Sequence, residues 1–156
     1  MPDYVAEINR AIVSFQFIEE CLRMYLGYAY ELIQLRVGDA LPVRLARKDI
    51  EHWSMGRLIR EFSKFSDNSG LVQGMLKLAS LRNEIVHRGL LLTAEETQDN
   101  QHRERQAERA QRIADGADGC FHELFAEIGK LSERLTALRR PGSPAQSEDQ
   151  PASPET

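Results

Sequence analysis

Leu78-Ala79-Ser80-Leu81-Arg82-Asn83-Glu84-Ile85-Val86-His87-Arg88-Gly89-Leu90 is an apolar run broken by an arginine, an asparagine and a histidine. Its apolar residues recur at three- and four-residue spacing, the repeat of an α-helix. At ~100° per residue, Leu71, Val72, Met75, Leu76, Leu78, Ala79, Leu81, Ile85, Val86, Gly89 and Leu90 fill one broad arc. Gln73, Lys77, Ser80, Glu84 and Arg88 fill the opposite one. Arg82 falls near the middle of the apolar arc, with Asn83 and His87 on its edge. A charge aimed at a core needs a partner, because leaving it unpaired is strongly destabilising.

The partner comes from the start of the chain. Residues 3 to about 36 read as one long amphipathic helix, with Val5, Ile8, Ile12, Phe15, Leu22, Leu26, Ala29 and Ile33 on its buried stripe. Asp3 serves as its N-cap, Gly38 closes it, and Pro42 opens an irregular connection. Glu19 lands inside the apolar stripe, between Phe15 and Leu22. One helix hides an acid and another a base, so Glu19 and Arg82 are expected to face each other.

The elements between and after follow from caps and breaks. A second helix starts near Asp49 or Ser54 and runs to about Phe65, burying Leu58, Ile59, Phe62 and Phe65, with Trp53 as a packing anchor at its entrance. Asp67-Asn68-Ser69-Gly70 is a turn, and Ser69 or Asn68 caps the third helix, which carries the opening stretch to about Thr97. Residues 98–113 form either an exposed loop or a solvated helical extension, with Arg103, Arg105, Arg109 and Arg112 interleaved by glutamates. Asp115-Gly116-Ala117-Asp118-Gly119 predicts a break or kink. A last helix then covers about 119–139, burying Phe121, Leu124, Phe125, Ile128, Leu131, Leu135 and Leu138.

The chain is thus predicted to be all-α: an antiparallel four-to-five-helix bundle over residues 1–139, with a disordered Pro/Ser/acidic tail over 140–156. No apolar run reaches the length of a membrane span and no secretory leader is visible, so a cytoplasmic protein is expected. Cys21 and Cys120 are far apart and read as reduced thiols. Removing Glu148, Asp149 and Glu155, the charges after Arg140, from the net −4 leaves −1 for the body. A near-neutral body argues against non-specific coating of nucleic acid and still permits a local basic groove. The sequence contains no GxGxxG, no GxxxxGK[ST] and no HExxH, and none of the four histidines has a second histidine at i, i+4; no metal or cofactor is expected.

Arg82-Asn83-Glu84-Ile85-Val86-His87 resembles the Arg-x4-6-His signature of HEPN domains, the all-α "higher eukaryotes and prokaryotes nucleotide-binding" superfamily. Helix number, length and motif placement agree over residues 3 to 139. The resemblance implies a metal-independent endoribonuclease of the toxin, defence or stress-effector type. It implies a homodimer, RNA as substrate, and an antitoxin or regulatory protein as a further partner. His87 would serve as general acid or base, Arg82 would hold the scissile phosphate, Asn83 would orient the imidazole or donate to the phosphate, and Glu19 would fix the guanidinium. The product would be a 2′,3′-cyclic phosphate. Arg82 and His87 are five apart, ~140° around a helix, so two copies across a two-fold axis would converge these groups better than one. The family also contains non-catalytic modules that bind proteins or nucleotides, which is the alternative reading. Where members paired with minimal nucleotidyltransferases often carry a modified tyrosine, two residues after the histidine, this chain has Gly89. Control by tyrosine modification at that position is therefore not expected.

Overall fold

A computed structural model of the chain describes residues 3–41, 47–88 and 100–139, without the side chains of Asp39, Arg47, Val86, His87 and Arg88. The description contains helices and no strand. Helix α1 (Tyr4–Val37) begins where the Asp3 carboxylate accepts from the Val5 N–H at 3.1 Å. It ends at Gly38, whose φ of 57° is costly for a residue bearing a Cβ and whose N–H returns to the Gln34 carbonyl. A 3₁₀ turn (Gly38–Ala40) follows, then a single helical turn α2 (Arg47–Ile50). Helix α3 (Met55–Phe62) is capped by the Ser54 hydroxyl, which accepts from the Arg57 N–H at 3.4 Å. The Arg57 guanidinium lies 3.9 Å from the centre of the half-buried Trp53 ring, so this tryptophan packs at the helix entrance as anticipated.

Helix α4 (Ser69–Arg88) carries the opening stretch, and its cap is Asn68, whose Oδ1 accepts from the Leu71 N–H at 3.0 Å. Helix α5 (Asn100–Arg139) is one unbroken helix of 40 residues. Of the two alternatives for 98–113, the helical extension holds over residues 100–113, but it is not wholly solvated: Ala107, Ala110 and Ile113 are buried in a seam that their polar neighbours conceal. The kink at 115–119 does not occur. Ala114 and Ala117 are fully buried there, and the flanking acids are held by α1. Arg10 reaches Asp115 at 2.6 Å and Asp118 at 3.2 Å, while the Ser14 hydroxyl donates to Asp118 at 2.5 Å. Tertiary contact overrides the weak propensity of two glycines.

The direction of the helices follows from their partners. Arg10 with Asp115, Phe17 with Phe121 and Glu31 with Arg139 rise together along the chain, so α1 and α5 lie parallel. Gly74 faces Cys120, Leu78 faces Gly116 and Glu84 faces Arg109, so α4 runs antiparallel to α5. The antiparallel expectation therefore holds for α4 against α5 and not for the two longest helices. The core between them is built on Phe15, Ile18, Leu22, Leu26, Leu58, Ile59, Phe62, Leu71, Met75 and Leu124.

Several residues assigned to the core sit elsewhere. The buried stripe of α5 is Leu124, Ile128, Leu131 and Leu135. Phe125, ~100° from Leu124, is 58% exposed. Leu138, Val5 and Leu76 are exposed too, while Phe121, Ile12 and Ile33 are half-buried. Phe65 is half-buried because α3 stops at Phe62 and a turn carries the chain on. Among the described residues, no helix is long and apolar enough to cross a membrane. The Pro42 connection, the expected extension of the third helix to Thr97, Gly89 and the tail over 140–156 lie outside the described residues.

Candidate active site around Arg82

The predicted pairing of an acid on the first helix with a base on the third is present. Arg82 Nη2 of α4 lies 3.0 Å from Glu19 Oε1 of α1. The other carboxylate oxygen, Oε2, stands 3.6 Å from Nη2 of Arg23, one turn further along α1. Glu19 thus divides its two oxygens between two guanidiniums. Arg23 also binds Glu20, Nη1 to Oε1 at 2.7 Å. Sequence reasoning missed Arg23. The signal that could have found it is its i, i+4 spacing from Glu19.

The two arginines differ in burial. The Arg23 side chain is 12% exposed and its Nε is enclosed without a partner, whereas Arg82 is 36% exposed against 15% for Glu19. Arg82 is therefore not sunk in the core as its place on the apolar arc implied. It stands at the flank of α4 with one nitrogen braced by a carboxylate. A guanidinium has five N–H donors in a planar fork, so this bracing leaves donors for an anion and fixes their direction.

Around it, Asn83 is exposed and Ile85 is buried. Glu84 turns the other way and accepts two bonds from Arg109 Nη2 at 2.7 and 2.8 Å, tying α4 to α5. The structure brings Glu19 and Arg82 together and puts Asn83 on the surface beside them in sequence. The backbone of His87 continues α4, and its side chain lies outside the described residues.

On the α5 side of α4 a groove of about 580 Å³ opens, lined by Gly74, Lys77, Leu78, Leu81, Arg109, Arg112, Ile113, Gly116 and Cys120. Its floor is apolar and its charged residues are all cationic. Burial pushes the Cys120 thiol up, as it does Cys21, so both favour the protonated form that is a poor nucleophile. Among the described residues, no three His, Cys, Asp or Glu side chains are grouped to hold a metal ion.

A second polar site joins α1 to α3. The Tyr30 hydroxyl donates to Glu61 Oε1 at 2.6 Å, and Lys64 Nζ donates to Glu61 Oε2 at 2.6 Å. Burial and this bond push the Tyr30 phenol up to about 12. The bond from Lys64, then that from Tyr30, holds the Glu61 carboxyl below its usual range.

Compared with protein-family models, with curated proteins and with solved structures, the chain matches none.

Proposed function

We propose that this protein is a metal-independent endoribonuclease of the HEPN type, acting as a homodimer. The observation that carries the reading is the Arg82 guanidinium, braced by Glu19 at 3.0 Å and over a third exposed, on the helix that bears His87 five residues later. An arginine in any role gains hydration from keeping donors in solvent. One that must hold a phosphate gains further from bracing, because a fixed guanidinium presents its free donors in one direction.

In this reading His87 takes the proton of a ribose 2′-OH, whose oxygen attacks the adjacent phosphorus, or gives a proton to the departing 5′-oxygen. Arg82 stabilises the charge that develops on the phosphoryl oxygens. Asn83 orients the imidazole or donates to the phosphate, and Glu19 positions Arg82. The products are a 2′,3′-cyclic phosphate and a free 5′-hydroxyl. Two copies supply two such sets to a shared cleft.

The test is incubation of the purified protein with single-stranded RNA in EDTA. Cleavage that persists under chelation and disappears in His87→Ala supports the enzyme. Intact RNA at high protein concentration refutes it and leaves a non-catalytic protein- or nucleotide-binding module. Arg82→Lys keeps the charge and loses the fork, so it should cut cleavage while leaving stability nearly unchanged. A strict monomer by light scattering would remove the shared cleft.

A further inference from the structure

The groove between α4 and α5 is independent of the Arg82 site, since Leu78 and Leu81 line it while Arg82 turns to α1. Its α5 wall runs from Arg109 to Cys120, ~16 Å or about three helical turns. Gly116 keeps this wall low: a Cβ added there would meet nothing nearer than Leu78 Cδ2 at 3.8 Å. The valley between two antiparallel helices is the shape into which a third helix lays its ridge. Its lining contains three cations, no acid and no aromatic ring. Arg109 is already bound to Glu84, whereas Lys77 has no ionic partner among the described residues and Arg112 reaches Glu108 only at 3.9 Å. An RNA strand would find no ring on which to stack a base. An apolar ridge flanked by carboxylates meets a complement at every point.

We propose that this groove docks an acidic amphipathic helix of a partner protein. Leucine-sized anchors at i, i+4 and i+7 enter between Leu78, Leu81 and Ile113, and flanking Asp or Glu residues meet Lys77 and Arg112. The full-length protein is titrated by fluorescence anisotropy with a labelled three-heptad peptide bearing a leucine stripe flanked by glutamates. The same peptide with lysine flanks, and one with its leucines scrambled, serve as controls.

The glutamate peptide should bind at least tenfold more tightly than either control, slow the alkylation of Cys120, and weaken as salt rises. Lys77→Glu with Arg112→Glu should reduce its binding at least tenfold. Gly116→Leu, which fills the groove and suits a helix better than glycine, should abolish binding while the circular dichroism and unfolding midpoint are retained. Equal binding of glutamate and lysine peptides, or binding indifferent to Gly116→Leu, overturns the proposal. So does single-stranded RNA that protects Cys120 where the peptide does not. A dimer that Gly116→Leu splits would give the groove to a second copy. A peptide affinity that rises tenfold on removing residues 140–156 would give it to the chain's own acidic tail. Either result also overturns the proposal. None of these outcomes depends on RNA cleavage.

Discussion

Glu19 pairs with two arginines, and the nearer is expected to matter less. Arg82 lies at 3.0 Å and Arg23 at 3.6 Å, a difference that changes the Coulomb energy by about a fifth, since it varies as 1/r. Exposure works the other way and more strongly. Arg82 is 36% exposed and Arg23 12%, and moving from a wet flank to a half-buried site changes the effective dielectric severalfold. Exposed pairs are worth ~0–1 kcal/mol, while breaking a buried pair costs ~3–5 kcal/mol. Arg82→Ala should therefore cost ~1 kcal/mol, because Glu19 keeps Arg23 and gains water. Arg23→Ala should cost ~2–3 kcal/mol, because it removes the less exposed guanidinium from both Glu19 and Glu20, and Glu19→Gln should come close to it, because it takes the shared carboxylate from both arginines. Two double-mutant cycles of urea unfolding curves, one per pair, measure the two couplings, with m-values checked for constancy. The Glu19–Arg23 coupling should exceed the Glu19–Arg82 coupling. If Arg82→Ala proves the more destabilising, distance outweighs burial at this site and the reasoning fails.

Three further outcomes are expected. Stability should fall at both ends of the pH range, in acid as Glu61, held by Lys64 and Tyr30, is protonated, and in base as the Tyr30 phenol ionises. Glu61 is depressed when folded, so its contribution is present above the ordinary carboxyl range and is lost as acid protonates it. Tyr30 is raised from 10.0 to about 12, so its contribution is full below pH 10 and is lost as pH climbs toward 12; in denaturant titrations Tyr30→Phe should flatten the alkaline limb and only part of the acid one, because Lys64 still holds Glu61. Gly119→Ala should raise the unfolding free energy by ~0.5–1 kcal/mol, since the site is mid-helix with nothing within 4 Å of the new Cβ, and a loss there would mean the helix bends. Thermal or chemical unfolding should also separate neighbours on α5: Leu124→Ala is expected to cost ~2–5 kcal/mol and Phe125→Ser under ~0.5 kcal/mol.

The reading of α4 held best where one residue violated the pattern around it. Glu19 and Arg82 each broke an apolar stripe, and two opposite charges in that position have few arrangements other than contact. Caps were equally legible, because Asp3, Ser54 and Asn68 bond to backbone only two or three residues away. The glycines of 115–119 misled for the opposite reason. Local propensity there is worth about 1 kcal/mol per residue, and it yields to the burial of Ala114 and Ala117 and to Arg10 and Ser14 of a neighbour more than a hundred positions away in the chain. The phase of α5 slipped at Phe125, which is apolar but lies ~100° from Leu124, outside the stripe of Leu124, Ile128, Leu131 and Leu135 that is buried.

By itself the sequence determined the helical class, the caps, and the pairing of Glu19 with Arg82, all consequences of periodicity and of the cost of an unpaired charge. Only the tertiary structure decided that α1 and α5 run parallel, that Arg23 shares the carboxylate, and that Arg82 stays in reach of solvent. Helical periodicity states which residues share a face; it carries no information on the direction or depth at which another helix meets that face. Those depend on side-chain volumes and charges brought together from distant parts of the chain.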